Sequence, residues 1–291
     1  MASNERRVLI VGCGDLGIRA GRLLAESGRQ VWGLRRRAEA IPSPIHGLGA
    51  DLGSPESLEQ ALAPLDGDWD AVIYAVAADR FEDEAYRRAY VNGVENLLGV
   101  LERQGQSVRR FVYVSSTSVY AQSDGSQVNE SSPTEPAGFG GRHLLNGEKK
   151  ALDGASGSTV IRFGGIYGPG RERLLRMVKE GKAECYDEPP IWTNRMHVDD
   201  CARALAHLVE LRTVAPIYLG VDDEPSRDGD VKRWLARRMG VDEPPVAASG
   251  PSSTSRRMRS NKRCSNEALK ATGFELLYPS FREGYGSLIA D

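Results

Sequence analysis

The sequence predicts an α/β protein: a doubly wound parallel sheet followed by a smaller, mixed α/β C-terminal region. Two patterns predict it. Through the first half, short apolar runs alternate with longer stretches of helical spacing, as in successive βαβ units. The alternation then breaks at a glycine-rich turn segment, residues 164–171.

Strands are predicted at 7–11, 30–34, 45–48, 70–75, 110–115 and 159–162. The first helix starts after Gly14 and stops at Gly28, where glycine suits a left-handed C-terminal cap. The second opens at Ser54 with Pro55 in its first turn. The third covers 85–103, with Val94, Leu97, Leu98 and Leu101 on one buried stripe. Further on, 198–211 and 228–239 read as helices and 217–221 as a strand. The prolines, serines and arginines of 243–259 read as an exposed, mobile loop. The expected domains are therefore 1–164 and 165–291, with about 198–221 returning to the first sheet.

Composition narrows the function. A chain of 291 residues can bury a large core without disulfides. Its 38 basic and 40 acidic side chains give a net charge of -2, hence no global field for nucleic acid or an anionic membrane. Cys13, Cys185, Cys201 and Cys264 lack metal-ligand spacing and read as reduced thiols, so no metal is expected. Without a membrane-length apolar run or a signal-peptide core, a soluble, cytoplasmic protein is expected.

The chemistry starts at Gly12-Cys13-Gly14-Asp15-Leu16-Gly17, between the first strand and the first helix. Gly12 permits a tight turn, Gly14 lets backbone approach a diphosphate, and Gly17 lets helix and strand pack closely. Asp15 and Leu16 belong to the first helical turn, where free amides and the helix dipole favour an anion. This is the turn of a Rossmann-type dinucleotide site. The second strand ends in Arg35-Arg36-Arg37 with no acid before Glu39, which favours the 2′-phosphate of NADP, with NAD as the alternative. Asp51 and Leu52 are placed to reach adenine, and Ala75, Val76 and Ala77 are small enough for a dinucleotide to pass.

Here the chain resembles the extended branch of the short-chain dehydrogenase/reductase superfamily, the NAD-dependent epimerases and dehydratases. Beyond the glycine turn, the resemblance rests on residues 91–98, 111–120 and 162–170, and on the run from Arg195 through His197 to Asp200. It implies that Ser115 borders the cofactor and that Ser116, with Thr117 beside it, is the catalytic hydroxyl. It also implies a Tyr-x-x-x-Lys pair about 25 residues on, and there the sequence departs. Gly140 and Leu144 fall at those positions, and none of the ten tyrosines has lysine four residues later. His143, Tyr120 and Tyr167 are the candidate substitutes for the proton donor.

The same resemblance places a small-molecule substrate between the two regions, against Tyr167, Arg171 and Arg195. The basic run 256–263 could clamp a phosphorylated or carboxylated ligand. His197 and Asp199 read as structural, the aspartate as a helix N-cap. The chain length argues against a full nucleotide-sugar pocket. The helices near 85–103 and 141–152 match a superfamily surface on which two copies could pair as a homodimer. The leading expectation is an NADP-dependent oxidoreductase or epimerase-like enzyme. Its alternatives are an NADP-binding sensor without redox turnover, favoured by the missing pair, and a non-redox lyase or isomerase using the same pocket.

Overall fold

A computed structural model describes residues 6–247 and 261–289; most of the predicted loop 243–259 lies outside the described residues. In chain order the elements begin β1 (Arg7–Val11), α1 (Asp15–Glu26), β2 (Gln30–Arg35), β3 (His46–Gly49), α2 (Pro55–Leu62) and β4 (Trp69–Tyr74). There follow α3 (Asp83–Arg87), α4 (Gly93–Arg103), β5 (Val108–Ser116), β6 (Gln127–Val128), α5 (Phe139–Gly154), β7 (Ser158–Phe163) and β8 (Gly165–Tyr167). Then come α6 (Arg173–Lys179), β9 (Trp192–Thr193), β10 (Arg195–His197), α7 (Val198–Glu210), β11 (Ile217–Gly220), β12 (Ser226–Arg227) and α8 (Asp228–Met239). The last are β13 (Arg263–Cys264), α9 (Glu267–Lys270) and α10 (Phe281–Gly286).

Seven strands form the central sheet in the order β11-β7-β5-β4-β1-β2-β3. The pairs from β5 through β3 run parallel. Val8, Leu9, Ile10 and Val11 are fully buried, as expected of a parallel strand covered on both faces. Gly17 and Gly21 let α1 lie close on β1, since a β-carbon at either would press on Ile10.

Two compact units result. The first comprises the chain up to Val119, Ala137–Arg162 and Ala202–Tyr218. The second comprises Tyr120–Pro136, Phe163–Cys201 and the chain from Leu219 on. In the first unit Arg29, its side chain buried, donates to both oxygens of Glu210 at 2.6 and 2.7 Å and also pairs with Asp70. This ties the end of α7 to β4.

Two local expectations change. The helix predicted over 85–103 is broken by a π segment, Arg88–Asn92. The cause is Tyr74 of β4, whose hydroxyl donates to Ala89 O at 2.5 Å and so inserts into the ladder, against a Gly93 whose β-carbon would collide with that hydroxyl. Asp199 is not the N-cap of α7 but lies inside its first turn. The His197 ring does the capping, Nδ1 accepting from the Asp199 amide at 3.3 Å.

Candidate functional site

The turn between β1 and α1 is shaped by what surrounds its glycines. Gly12 has φ +78°, and a β-carbon there would stand 2.7 Å from Val76 Cα and 2.8 Å from Ala75 O. The turn therefore lies directly on the segment after β4, which brings Ala75 and Val76 beside it. Gly14 is open instead: a β-carbon would meet nothing nearer than Gly12 O at 3.9 Å. Gly14 is also the N-cap of α1 and offers no side chain to the helix amides. A first turn with no side-chain cap, an aligned dipole and open space at Gly14 is suited to an anion such as a diphosphate.

Arg35, half-buried at the end of β2, reaches back toward Cys13 O at 3.5 Å, while Arg36 and Arg37 are exposed. Among the described residues no carboxylate pairs with any of the three. Asp51 is exposed, and one of its oxygens accepts from the Gly53 amide at 2.9 Å. The Leu52 carbonyl accepts from Asn96 Nδ2 at 2.8 Å, fixing the end of this loop.

At the end of β5 the two serines have different tasks. Ser115 is buried, and its hydroxyl donates to Glu148 Oε1 at 2.5 Å. Glu148 is in turn gripped by Arg162 at 2.9 and 2.6 Å, a bidentate ion pair with both side chains buried. Neither Glu148 nor Arg162 was singled out from the sequence as a site residue. The available signal was a glutamate on the stripe shared by the buried Leu144 and Ala151 and an arginine inside the apolar run of β7. Ser116 is half-buried, and its Oγ accepts from the Ser118 amide at 3.2 Å, which leaves the hydroxyl proton free to donate. Thr117 opens the short helix Thr117–Val119, against which α5 packs.

On α5, Gly140, the residue that the resemblance sets at the tyrosine position, lies against an aromatic ring. A β-carbon on Gly140 would stand 3.0 Å from Tyr86 Cε1. Tyr86 of α3 belongs to an aromatic group with Phe81, Tyr90 and Phe139, at ring distances of 4.9 to 5.5 Å. Leu144, at the lysine position, is buried. His143 lies on the same side of α5, its Nε2 3.0 Å from Asp83 Oδ1. With Nε2 donating to that carboxylate, the lone pair falls on Nδ1, which is buried with no partner among the described residues.

The second unit holds the other named residues. Tyr167 is buried, its ring 4.3 Å from that of Tyr285 and edge-on to His197, and its hydroxyl faces Ser280 O at 3.5 Å. Burial and the nearby Asp222 push its ionisation far up. Tyr120 is buried as well. Arg171 is exposed. Arg195 is buried, donates to Thr193 and lies over the Phe281 ring, and its Nη1 has no partner among the described residues. Asp222, 1% exposed, has its carboxyl pushed up to about 8 by burial, with Arg195 opposing the shift. The buried Asp200 accepts from the Leu277 and Tyr278 amides, both at 2.9 Å. All four thiols are buried and form no disulfide, and among the described residues no cluster could hold a metal ion. Nor does any described helix have the length and apolarity to cross a membrane.

With this geometry in place, comparison with known proteins is informative. The profile of the NAD dependent epimerase/dehydratase family matches residues 8–218. A solved structure from Methylobacillus flagellatus, assigned to the NAD-dependent epimerases/dehydratases, is 33% identical, with TM-score 0.79 and 98% of each chain covered. A conserved protein of unknown function from Silicibacter pomeroyi is 26% identical over 97% of each chain, with TM-score 0.75. MoeE5, solved with UDP-glucuronic acid and NAD, is 25% identical over 96% of each chain, with TM-score 0.76. No curated protein matches the chain.

Proposed function

Because this chain belongs to the NAD-dependent epimerase/dehydratase family, we propose that it is an NADP-dependent enzyme acting on a hydroxyl- or carbonyl-bearing, nucleotide-sugar-like substrate. The observation that carries the cofactor preference is the end of β2. Among the described residues no carboxylate pairs with Arg35 or Arg36, which stand where an acid would be needed to accept from the 2′-hydroxyl of NAD. The first-turn amides of α1 at Asp15, Leu16 and Gly17 would hold the diphosphate, with Gly12 and Gly14 giving it room. Asp51, Leu52 and the backbone of Ala75, Val76, Ala77 and Ser115 would border the rest. A bound nicotinamide supplies oxidation or reduction at the substrate carbon.

The chain's own part in the reaction falls to Ser116 and His143. The Ser118 amide holds one lone pair of Ser116 Oγ, so that the hydroxyl donates toward a substrate oxygen, with Thr117 beside it. His143 takes the proton at Nδ1, and the Asp83 contact on Nε2 stabilises the charge it gains. Tyr167, Arg171 and Arg195 are the candidate substrate residues. Chain length is no obstacle to a nucleotide sugar, since MoeE5, which matches over nearly its whole length, is described with one. A second reading, an NADP-binding sensor without turnover, draws on Gly140 and Leu144, which replace the proton-transfer pair with a glycine under an aromatic ring and a buried leucine.

The test has two arms. Arg35→Asp with Arg36→Ala should weaken NADPH binding by about tenfold or more relative to NADH; unchanged preference would refute the NADP assignment. Incubation with NADPH or NADP and a panel of carbonyl compounds and UDP-sugars, followed by reduced-cofactor absorbance and product analysis, should reveal turnover. Ser116→Ala should lower it roughly a hundred- to ten-thousand-fold. Tight cofactor binding with no turnover on any of them would favour the sensor.

A further inference from the structure

The second unit buries two lysines and treats them differently. Lys232 of α8, with no exposed surface, donates Nζ to the Asp228 carboxylate and to Glu184 O at 2.6 Å. Lys262, just ahead of β13, is 1% exposed, yet among the described residues no carboxylate pairs with it and no carbonyl accepts from its Nζ. Its ionisable neighbour is the thiol of Cys264, two residues along the strand and buried. Glu130 lies near that thiol, but its Oε1 accepts from the Leu219 amide at 3.0 Å. Burial accordingly holds the Lys262 amine below the ordinary lysine range.

The backbone that carries Lys262 is held in place. Asn194 spans the strand, donating Nδ2 to Lys262 O at 2.9 Å and accepting from the Cys264 amide at 2.7 Å. Asn261 accepts from the Trp192 amide at 2.7 Å and donates to Pro190 O at 3.1 Å. Gly125 N–H donates to Asn261 O, and Arg263 N–H to Ser126 O, both at 2.9 Å. These bonds consume both asparagine side chains and hold the backbone on either side of Lys262.

A buried ammonium without a counter-charge is costly, and an apolar side chain would fill the same space at less cost. The amine is therefore not explained by the fold. We propose that Lys262 is the receiving charge for an oxyanion that arrives with the ligand of this unit, the phosphate of a nucleotide or the carboxylate of a sugar acid. A lysine suits the task, because its compact charge with three donors meets either group without the planar fork that arginine imposes. The inference deepens, and rests on, the reading of the chain as a binder of a nucleotide-sugar-like substrate.

Calorimetric titration of the full chain with UDP and, separately, with glucuronate tests it, using wild type, Lys262→Met and Lys262→Arg. At least one ligand should bind wild type, with UDP marking a phosphate and glucuronate a carboxylate. Lys262→Met should weaken that ligand by about tenfold or more, and Lys262→Arg should restore most of the loss. The methionine variant should melt at or above the wild-type temperature, which a lysine needed for the fold would not allow. Should it fail to fold, Lys262→Gln is read in the same way. Equal affinity in wild type and the neutral variant, or no binding of either ligand at millimolar concentration, overturns the assignment. Titration with NADPH separates the two readings: cofactor binding that persists while these ligands are indifferent to position 262 sinks the lysine alone. Loss of cofactor binding in wild type sinks the cofactor reading alone.

Discussion

The buried charges of the two units make an instructive pair. In the first, Glu148 and Arg162 close a bidentate ion pair completed by the Ser115 hydroxyl, and Arg29 is shared between Glu210 and Asp70. In the second, Lys232 has its Asp228, but Lys262 and Arg195 Nη1 have no partner among the described residues, and Asp222 is buried with its carboxyl pushed up to about 8. A satisfied pair holds a fold in place, because removing either member strands the other. A buried charge without a partner costs the fold its desolvation with nothing in return. The buried ion pairs of the first unit are closed, whereas in the second Arg195 Nη1 and both Asp222 carboxyl oxygens have no hydrogen-bond partner among the described residues.

The contrast can be broken most directly at α5. Glu148→Leu removes the buried carboxylate that the Arg162 guanidinium grips through two hydrogen bonds, and should cost about 3–5 kcal/mol of stability in urea unfolding. A loss under ~1 kcal/mol would mean that the pair is already wet and the contrast overstated. Next comes Lys232→Met, which strands a largely buried Asp228 and should cost about 2–3 kcal/mol.

Asp222→Asn works in the opposite direction. The carboxyl has an ordinary value of 3.8 and sits near 8 in the fold, so the folded state holds a proton that the unfolded chain has released. Its stabilising contribution is complete below about pH 4 and is lost as pH climbs through about 8. The asparagine variant should lack this slope, matching wild type near pH 5 and exceeding it by on the order of 2 kcal/mol near pH 8. A variant weaker than wild type near pH 8 would show that Arg195 already balances the charge. The smallest expected change is the melting temperature of Lys262→Met, within about 0.5 kcal/mol of wild type or above it. Set beside Lys232→Met, it is the sharpest form of the comparison: two buried lysines in one unit, one that the fold needs and one that it does not.

Legibility from sequence divided along the same line. The α/β order, the β1–α1 turn and the arginines after β2 were readable because each depends on near neighbours. A positive φ at Gly12 and a helix start without a side-chain cap at Gly14 are written within six residues. That no tyrosine of the chain has a lysine four residues later was equally plain. What fills the gap was not, since Tyr86 lies on another helix. The break in the third helix was also hidden, because its cause is a tyrosine hydroxyl from β4. His197, rather than Asp199, caps α7 because the ring is already positioned by β10 when the helix begins.

The sequence by itself determined the strand and helix order, the glycine turn at the start of α1, the basic end of β2 and that no tyrosine is followed by lysine four residues on. These follow from backbone freedom, helical period and side-chain charge over a few consecutive residues. Tertiary structure alone decided which buried charges have partners. Ser115 meets Glu148 across 33 residues of chain, and Arg29 meets Glu210 across 181. Lys232 and Lys262 look alike as lysines in a row of letters. Lys232 has an aspartate one turn away on its own helix, whereas among the described residues the fold brings no carboxylate to Lys262.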